Sequence, residues 1–289
     1  MASSPPRSSP SKTLLAALSY SDNFDYPLSL QEIWYWQPYT RYPTRSFPDW
    51  PHQKNHLYYL PGRQHIVDLR QKRLISSGIK WKKALSIAKY LQLIPSISAI
   101  FVTGSLAMRN SPENDDIDFM VITSPHTLWL TRVCVVIFLR LFNIRRSPRL
   151  ATHSSPKVCN KICDNLYLDL KHLEISHNPH NKSQSFYLAH EILQAKCIFD
   201  RRYVHHRFII QNSWVKDYLP MAYHESVKQF PNPAPDPDRI LKVFSPILFI
   251  LNAVFFLAQY LYMRPHLTRE KISLGFAFFH PRLLKLKWL

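Results

Sequence analysis

Two carboxylates one residue apart, Asp116 and Asp118, are the groups in this chain best placed to do chemistry. On a strand, residues i and i+2 project to the same side, about 6–7 Å apart along the chain. Asp116 and Asp118 therefore project together while Ile117 faces a core. Adjacent carboxylates repel, and each resists ionising unless a cation sits between them. Mg²⁺ (or Mn²⁺) answers that need: it is a hard cation that takes a couple of carboxylates with phosphate oxygens and water. Upstream stands Gly104-Ser105, separated from Asp116 by ten residues. Gly104 lets the backbone approach a phosphate, successive N–H groups can form an anion-binding nest, and Ser105 adds a hydroxyl. The chain has four glycines, Gly62, Gly78, Gly104 and Gly275. A P-loop and a dinucleotide-binding loop cannot be written with them.

Lys and Arg number 37 against 19 Asp and Glu, a net charge of +18 over 289 residues. That excess suits a phosphate-rich partner such as an NTP, RNA or another polyanion. The cysteines Cys134, Cys159, Cys163 and Cys197 form no CxxC and read as reduced thiols. A zinc site from Cys159, Cys163, His172 and His177 fits no standard spacing. Residues 1–12 read as a Ser/Pro-rich tail without the apolar run of a signal peptide, so the expected location is cytoplasmic.

The elements that must position the carboxylates form an α/β (α+β) pattern. Ile97–Thr103 reads as a strand ending at the Gly-Ser turn, and Ile117–Thr123 as a second strand opening at the carboxylates. Ser124-Pro125 then starts a helix through Leu128–Phe142, and Cys159–Leu170 is a third strand. Before them, Ala84, Ile87, Ala88 and Leu91 set the apolar face of a helix over 80–93. Its basic side is either a phosphate track or a solvated face. Together these predict a mixed sheet with flanking helices over residues 76–175.

Residues 13–75 read as helix, helix, an ambiguous stretch and a strand. Ser29 and Glu32 have capping-box spacing. The order suits a winged-helix-like domain or a helical collar on the next one. Residues 176–289 read as a helical C-terminal region, with a proline-rich linker at 231–237. Val243–Met263 carries no charge and is long enough to span a bilayer. Ser245, Asn252 and Gln259, seven apart, make a polar stripe, which favours a helix packed on the protein with its other faces buried; membrane association is the alternative.

A hydrophobic strand, Gly-Ser, ten residues and Asp-hydrophobic-Asp-hydrophobic resemble the signature of the polymerase-β-type nucleotidyltransferase superfamily. The match covers residues 100–123. ALSYSDNFDYPL, LPGR, EILQAK, NSWVKDYLP and FFHP resemble an uncharacterised bacterial branch with an N-terminal winged-helix-like segment. The resemblance implies a nucleotidyltransferase-type fold and metal-dependent transfer of a nucleotidyl group from an NTP to a hydroxyl of an unknown acceptor. Asp116 and Asp118 would hold the metal, and Gly104, Ser105 and Arg109 would bind the nucleotide.

The resemblance also implies a third acidic residue from a neighbouring strand, to help deprotonate the attacking hydroxyl. The third strand offers Asp164 and Asp169, with Asn165 beside the first. Five apart, the two acids face opposite sides of a regular strand. Asp164, being central, is the preferred catalytic residue. If Asn165 faces inward instead, metal binding weakens and the alternative, a catalytically inactive nucleotide- or nucleic-acid-binding regulator, gains weight. Lys82, Lys83, Arg109, Arg145 and Arg146 are the candidate cations for a triphosphate.

Overall fold

A computed structural model describes residues 10–40, 51–146, 159–201, 203–229, 245–268 and 270–279. The linker expected at 231–237 and most of the tail lie outside them. Helix α1 (Pro10–Asp22) begins inside the expected tail and turns Leu14, Ala17 and Leu18 inward. The two-residue strand β1 (Leu28–Ser29) leads into α2 (Leu30–Trp36), whose capping box forms as the sequence predicts. Ser29 Oγ accepts from the Glu32 amide and Glu32 accepts from the Ser29 amide, satisfying two orphan donors of the first turn. Strands β2 (His52–Lys54) and β3 (Leu57–Tyr59) complete a three-stranded antiparallel sheet in the order β1-β3-β2.

Helix α3 (His65–Leu91) is a single element of 27 residues. It starts well before the helix expected at 80–93 and runs through the expected domain boundary at 75/76. The apolar pattern of its first half is broken by Gly78 and a run of charges, which hid its continuity. The buried residues of the N-terminal helices share one core with the C-terminal helices, and the Tyr20 ring stacks on His190. The collar reading fits that packing.

The central sheet has six strands in the order β7-β4-β5-β6-β9-β8. Strand β4 (Ile97–Val102) ends at the four-residue helix α4 (Gly104–Ala107), and β5 (Ile117–Thr123) runs antiparallel to β4. Helix α5 (Leu128–Leu141) crosses over to β6 (Ile162–Asp169), which pairs parallel with β5. After α6 (Lys182–Gln194), β7 (Lys196–Asp200) joins the edge beside β4. Helices α7 (Val204–Gln211), α8 (Pro220–Lys228) and α9 (Ser245–Met263) follow, and the hairpin of β8 (Lys271–Ile272) and β9 (Phe276–Phe278) closes the other edge. The sheet is mixed, as expected, but β7, β8 and β9 come from a region that the sequence presented as wholly helical.

Strand alternation sorts the core into two layers. Ala99, Phe101, Met120, Ile122 and Leu168 face the N-terminal and C-terminal helices. Ile100, Val102, Phe119, Val121 and Tyr167 face α3 and α5. By the same alternation Asp118 belongs to the first face, in phase with Met120.

Helix α9 departs from expectation. Its polar stripe meets the protein: Asn252 accepts from the Trp129 amide and donates to the Leu274 carbonyl, and Gln259 donates to the Trp129 carbonyl. The other faces, expected to be buried, are open. Ile247, Ile250, Val254, Leu257 and Leu261 are each more than half exposed. Among the described residues, Ser245–His266 is one segment long and apolar enough to cross a membrane.

Candidate functional site

The site forms where β4 ends and β5 begins. Gly104 adopts a left-handed backbone, φ +63°, and a Cβ there would lie 2.7 Å from Asp118 Oδ2. Glycine is required twice over, by the dihedral angle and by the carboxylate resting on the turn. Ser105 Oγ donates to Asp115 Oδ2 at 2.8 Å, bracing the turn against the far end of its loop.

The loop from Asn110 to Asp115 is held from α3. Lys80 is buried, and its ammonium donates to Ser111 Oγ, the Pro112 carbonyl and the Asp115 carbonyl at 3.1, 2.5 and 2.7 Å. Burial lowers its pKa, and neighbouring acidic groups, Asp115 first, oppose that. The Ser77 hydroxyl accepts from the Ser111 amide, and Arg73 reaches Asn110 Oδ1. Part of the basic run is thus neither a phosphate track nor a solvated face. Lys80 lies in phase with Ala84, Ile87 and Leu91, a signal that it belongs to the buried side.

Asp116 is 2% exposed, and its two oxygens differ. Oδ2 accepts from Arg146 Nη1 at 2.6 Å, whereas Oδ1 is buried without a hydrogen-bond partner. Burial depresses the Arg146 pKa, but Asp116 and Cys163 outweigh it and the net shift is upward. Asp118 Oδ1 accepts from Asn165 Nδ2 at 2.7 Å. Asp116, Asp118 and Cys163 each offer one ligand atom, all within 4.8 Å of one another. Burial, then the two carboxylates, push the Cys163 thiol well up, so it stays protonated at neutral pH. A hard cation is served by the carboxylate oxygens and not by that thiol. The unpartnered Oδ1 of Asp116 fits such an ion, while Arg146 already supplies one positive charge.

Asp164 is not brought to this cluster, and the preference for it is corrected here. The β5–β6 register pairs Asp118 with Cys163 and Phe119 with Asp164, then jumps to Met120 opposite Leu166. Asn165 is the extra residue of a bulge. Asp164 consequently shares the face of Phe119. There it takes two bonds from Arg145, at 2.7 and 3.1 Å, and one from Tyr167 OH at 3.1 Å. Asp169 sits opposite Thr123 at the other end of the strand and pairs with His172 at 2.7 Å. The bulge undoes the expected alternation: both acids take register positions of the face away from Asp118, and the inward group is Asn165.

Of the candidate cations, Arg146 reaches Asp116 and Arg145 reaches Asp164. Arg109 is exposed, with its guanidinium over the Trp81 ring at 5.5 Å. Sequence reasoning weighed Cys163 only for a zinc set and missed its place beside the carboxylates, whose one signal was its position directly before the acid of the third strand. Beside the cluster lies a cavity of about 710 Å³. Thr103, Gly104, Asp118 and Asn165 contribute to its wall, and Leu168, Phe208 and Phe276 make much of the remainder apolar. Comparisons of the chain with protein-family models, curated proteins and solved structures found no match.

Proposed function

We propose that this chain is a metal-dependent nucleotidyltransferase that moves a nucleotidyl group from an NTP to a hydroxyl of an acceptor. The observation that carries the reading is the buried, unpartnered Asp116 Oδ1 in a carboxylate that comes within 4.8 Å of Asp118, beside the Gly104 turn. Asp116 and Asp118 would hold Mg²⁺ (or Mn²⁺), which neutralises carboxylates and triphosphate and stabilises charge on the leaving oxygen. Gly104 keeps a side chain out of the space that a phosphate would approach. Ser105 and Lys80 fix the loop that sets Asp116, and Asn165 fixes the rotamer of Asp118. The apolar cavity is suited to the body of a nucleoside or an acceptor. These residues work by positioning and charge neutralisation. The resemblance to the polymerase-β-type superfamily agrees with this arrangement.

A second reading is a nucleotide-binding regulator on the same site. Two observations favour it: β6 offers an amide, Asn165, where a third acid would act, and Arg146 neutralises Asp116.

The two readings separate in one experiment. The wild type is incubated with labelled NTPs, Mg²⁺ or Mn²⁺ and a cell extract, and its thermal midpoint is followed in parallel. Labelled acceptor, lost in Asp118→Asn, supports transfer. A metal-dependent rise in midpoint with an NTP but no labelled product supports the regulator. A midpoint unmoved by every NTP with metal overturns both.

A further inference from the structure

The open face of α9 is an interaction surface, and its chemistry selects a partner. Its sequence from Val243 to Met263 contains no charged residue. The outer arc runs Ile247, Ile250, Leu251, Val254, Leu257, Leu261 and Tyr262, a helical repeat that draws one apolar stripe along the whole element. Only 6% of the most apolar window is buried in the protein. At 19 residues the helix is about 28 Å long, so the stripe is far larger than scattered surface apolar residues make.

The inner arc says how the helix is held. Asn252 is 1% exposed and bonded at both ends of its amide, to Trp129 and Leu274. Gln259 bonds the Trp129 carbonyl and accepts from Arg132 Nη1 at 2.6 Å. Phe255, Phe256 and Met263 pack on the core under α5. Drawing this helix out to span a bilayer would strip those amides of their partners inside hydrocarbon. It therefore stays on the protein and presents its outer arc sideways.

We infer that α9 docks this protein flat on an anionic lipid bilayer, its outer arc in the acyl boundary. Charge decides between a bilayer and a second copy. Two copies bring +18 against +18, whereas an anionic membrane attracts that charge. The exposed Tyr262 and Arg264 at the end of the helix are the types that anchor at a headgroup layer. The inference is independent of what the carboxylate site does.

The full-length chain is floated with phosphatidylcholine vesicles, with and without phosphatidylglycerol. Binding is expected to both, tighter to the anionic vesicles. Ile250→Glu with Leu257→Glu is expected to weaken it more than about tenfold, because two exposed apolar side chains leave the acyl boundary. Circular dichroism and the thermal midpoint should not change, since both residues are solvent-facing. Single changes Ile247→Glu, Val254→Glu and Leu261→Glu should each weaken binding to a similar extent. Loss confined to Val254→Glu would mean a spanning helix and overturn flat docking. Equal flotation of wild type and double variant would place binding elsewhere on the basic surface. A wild-type dimer that ignores vesicles and becomes monomeric in the double variant would assign the face to a second copy.

Discussion

Asn165 donates a 2.7 Å hydrogen bond to Asp118 from the bulge in β6, so this strand meets the carboxylate with a neutral amide. Asn165→Asp would place a third carboxylate there. Without metal the new charge repels Asp118, and the fold should lose about 1–3 kcal/mol. With Mg²⁺ the loss should be recovered and the metal-linked rise in midpoint should exceed that of the wild type. Differential scanning with EDTA and with Mg²⁺ checks it. A variant equally stable in both would show that no cation binds between these groups.

A divalent cation at the proposed site would compete with Arg146 for Asp116. Arg146→Met removes the competitor and leaves the carboxylate without a partner. In EDTA the variant should be less stable by about 3 kcal/mol, the usual cost of breaking a buried pair. Titration calorimetry should show tighter Mg²⁺ binding than in the wild type. Unchanged or weaker affinity would mean that Arg146 supports the metal site and does not oppose it.

Asp164 has a structural duty. Asp164→Asn should destabilise the fold by about 3–5 kcal/mol, since the largely desolvated Arg145 guanidinium loses its charged partner. Mg²⁺-linked stabilisation, measured at a temperature where the variant is folded, should persist. Its disappearance would return Asp164 to the metal site.

Acid should destabilise the protein through His205. Burial lowers its pKa to about 4, and Asp200 only partly opposes that. The folded-state value is below the unfolded one, so the stability is complete above about pH 6.5 and declines as the pH falls toward 4. The decline should reach about 3 kcal/mol for this group. Buried His190, also lowered by burial, acts in the same direction. Urea midpoints between pH 7 and pH 4 test this, and His205→Gln should flatten the slope. A slope unchanged in that variant would assign the acid sensitivity to other groups.

The strand–turn–strand heart of the site was legible because β4 and β5 are largely apolar runs, the first ending at Gly104-Ser105 and the second opening at Asp116 after a polar loop. The capping box at Ser29 was legible for the same reason: it is local. What escaped depends on pairing across the chain. The bulge at Asn165 leaves no mark in the hydrophobic pattern, yet it decides which face Asp164 takes. β7 and β9 are short strands, five and three residues long, with too few positions to show a period. Helix α9 was read correctly as a helix. The burial of its outer face was misjudged, because apolar sequence tells that a face avoids water, not what covers it.

The continuity of α3 limits how this chain can be divided. Its first turns stand beside the N-terminal sheet, its middle holds Lys80 against the Asp116 loop, and its end packs under β4. A chain cut at residue 76 would start mid-helix, four residues before the ammonium that fastens the loop. Arg73, which ties that loop to Phe24 and Asp25, would be lost with the cut. The carboxylate site and the N-terminal segment are therefore one heritable unit. A shuffled descendant keeping the first without the second would have to invent a new clasp for the same loop.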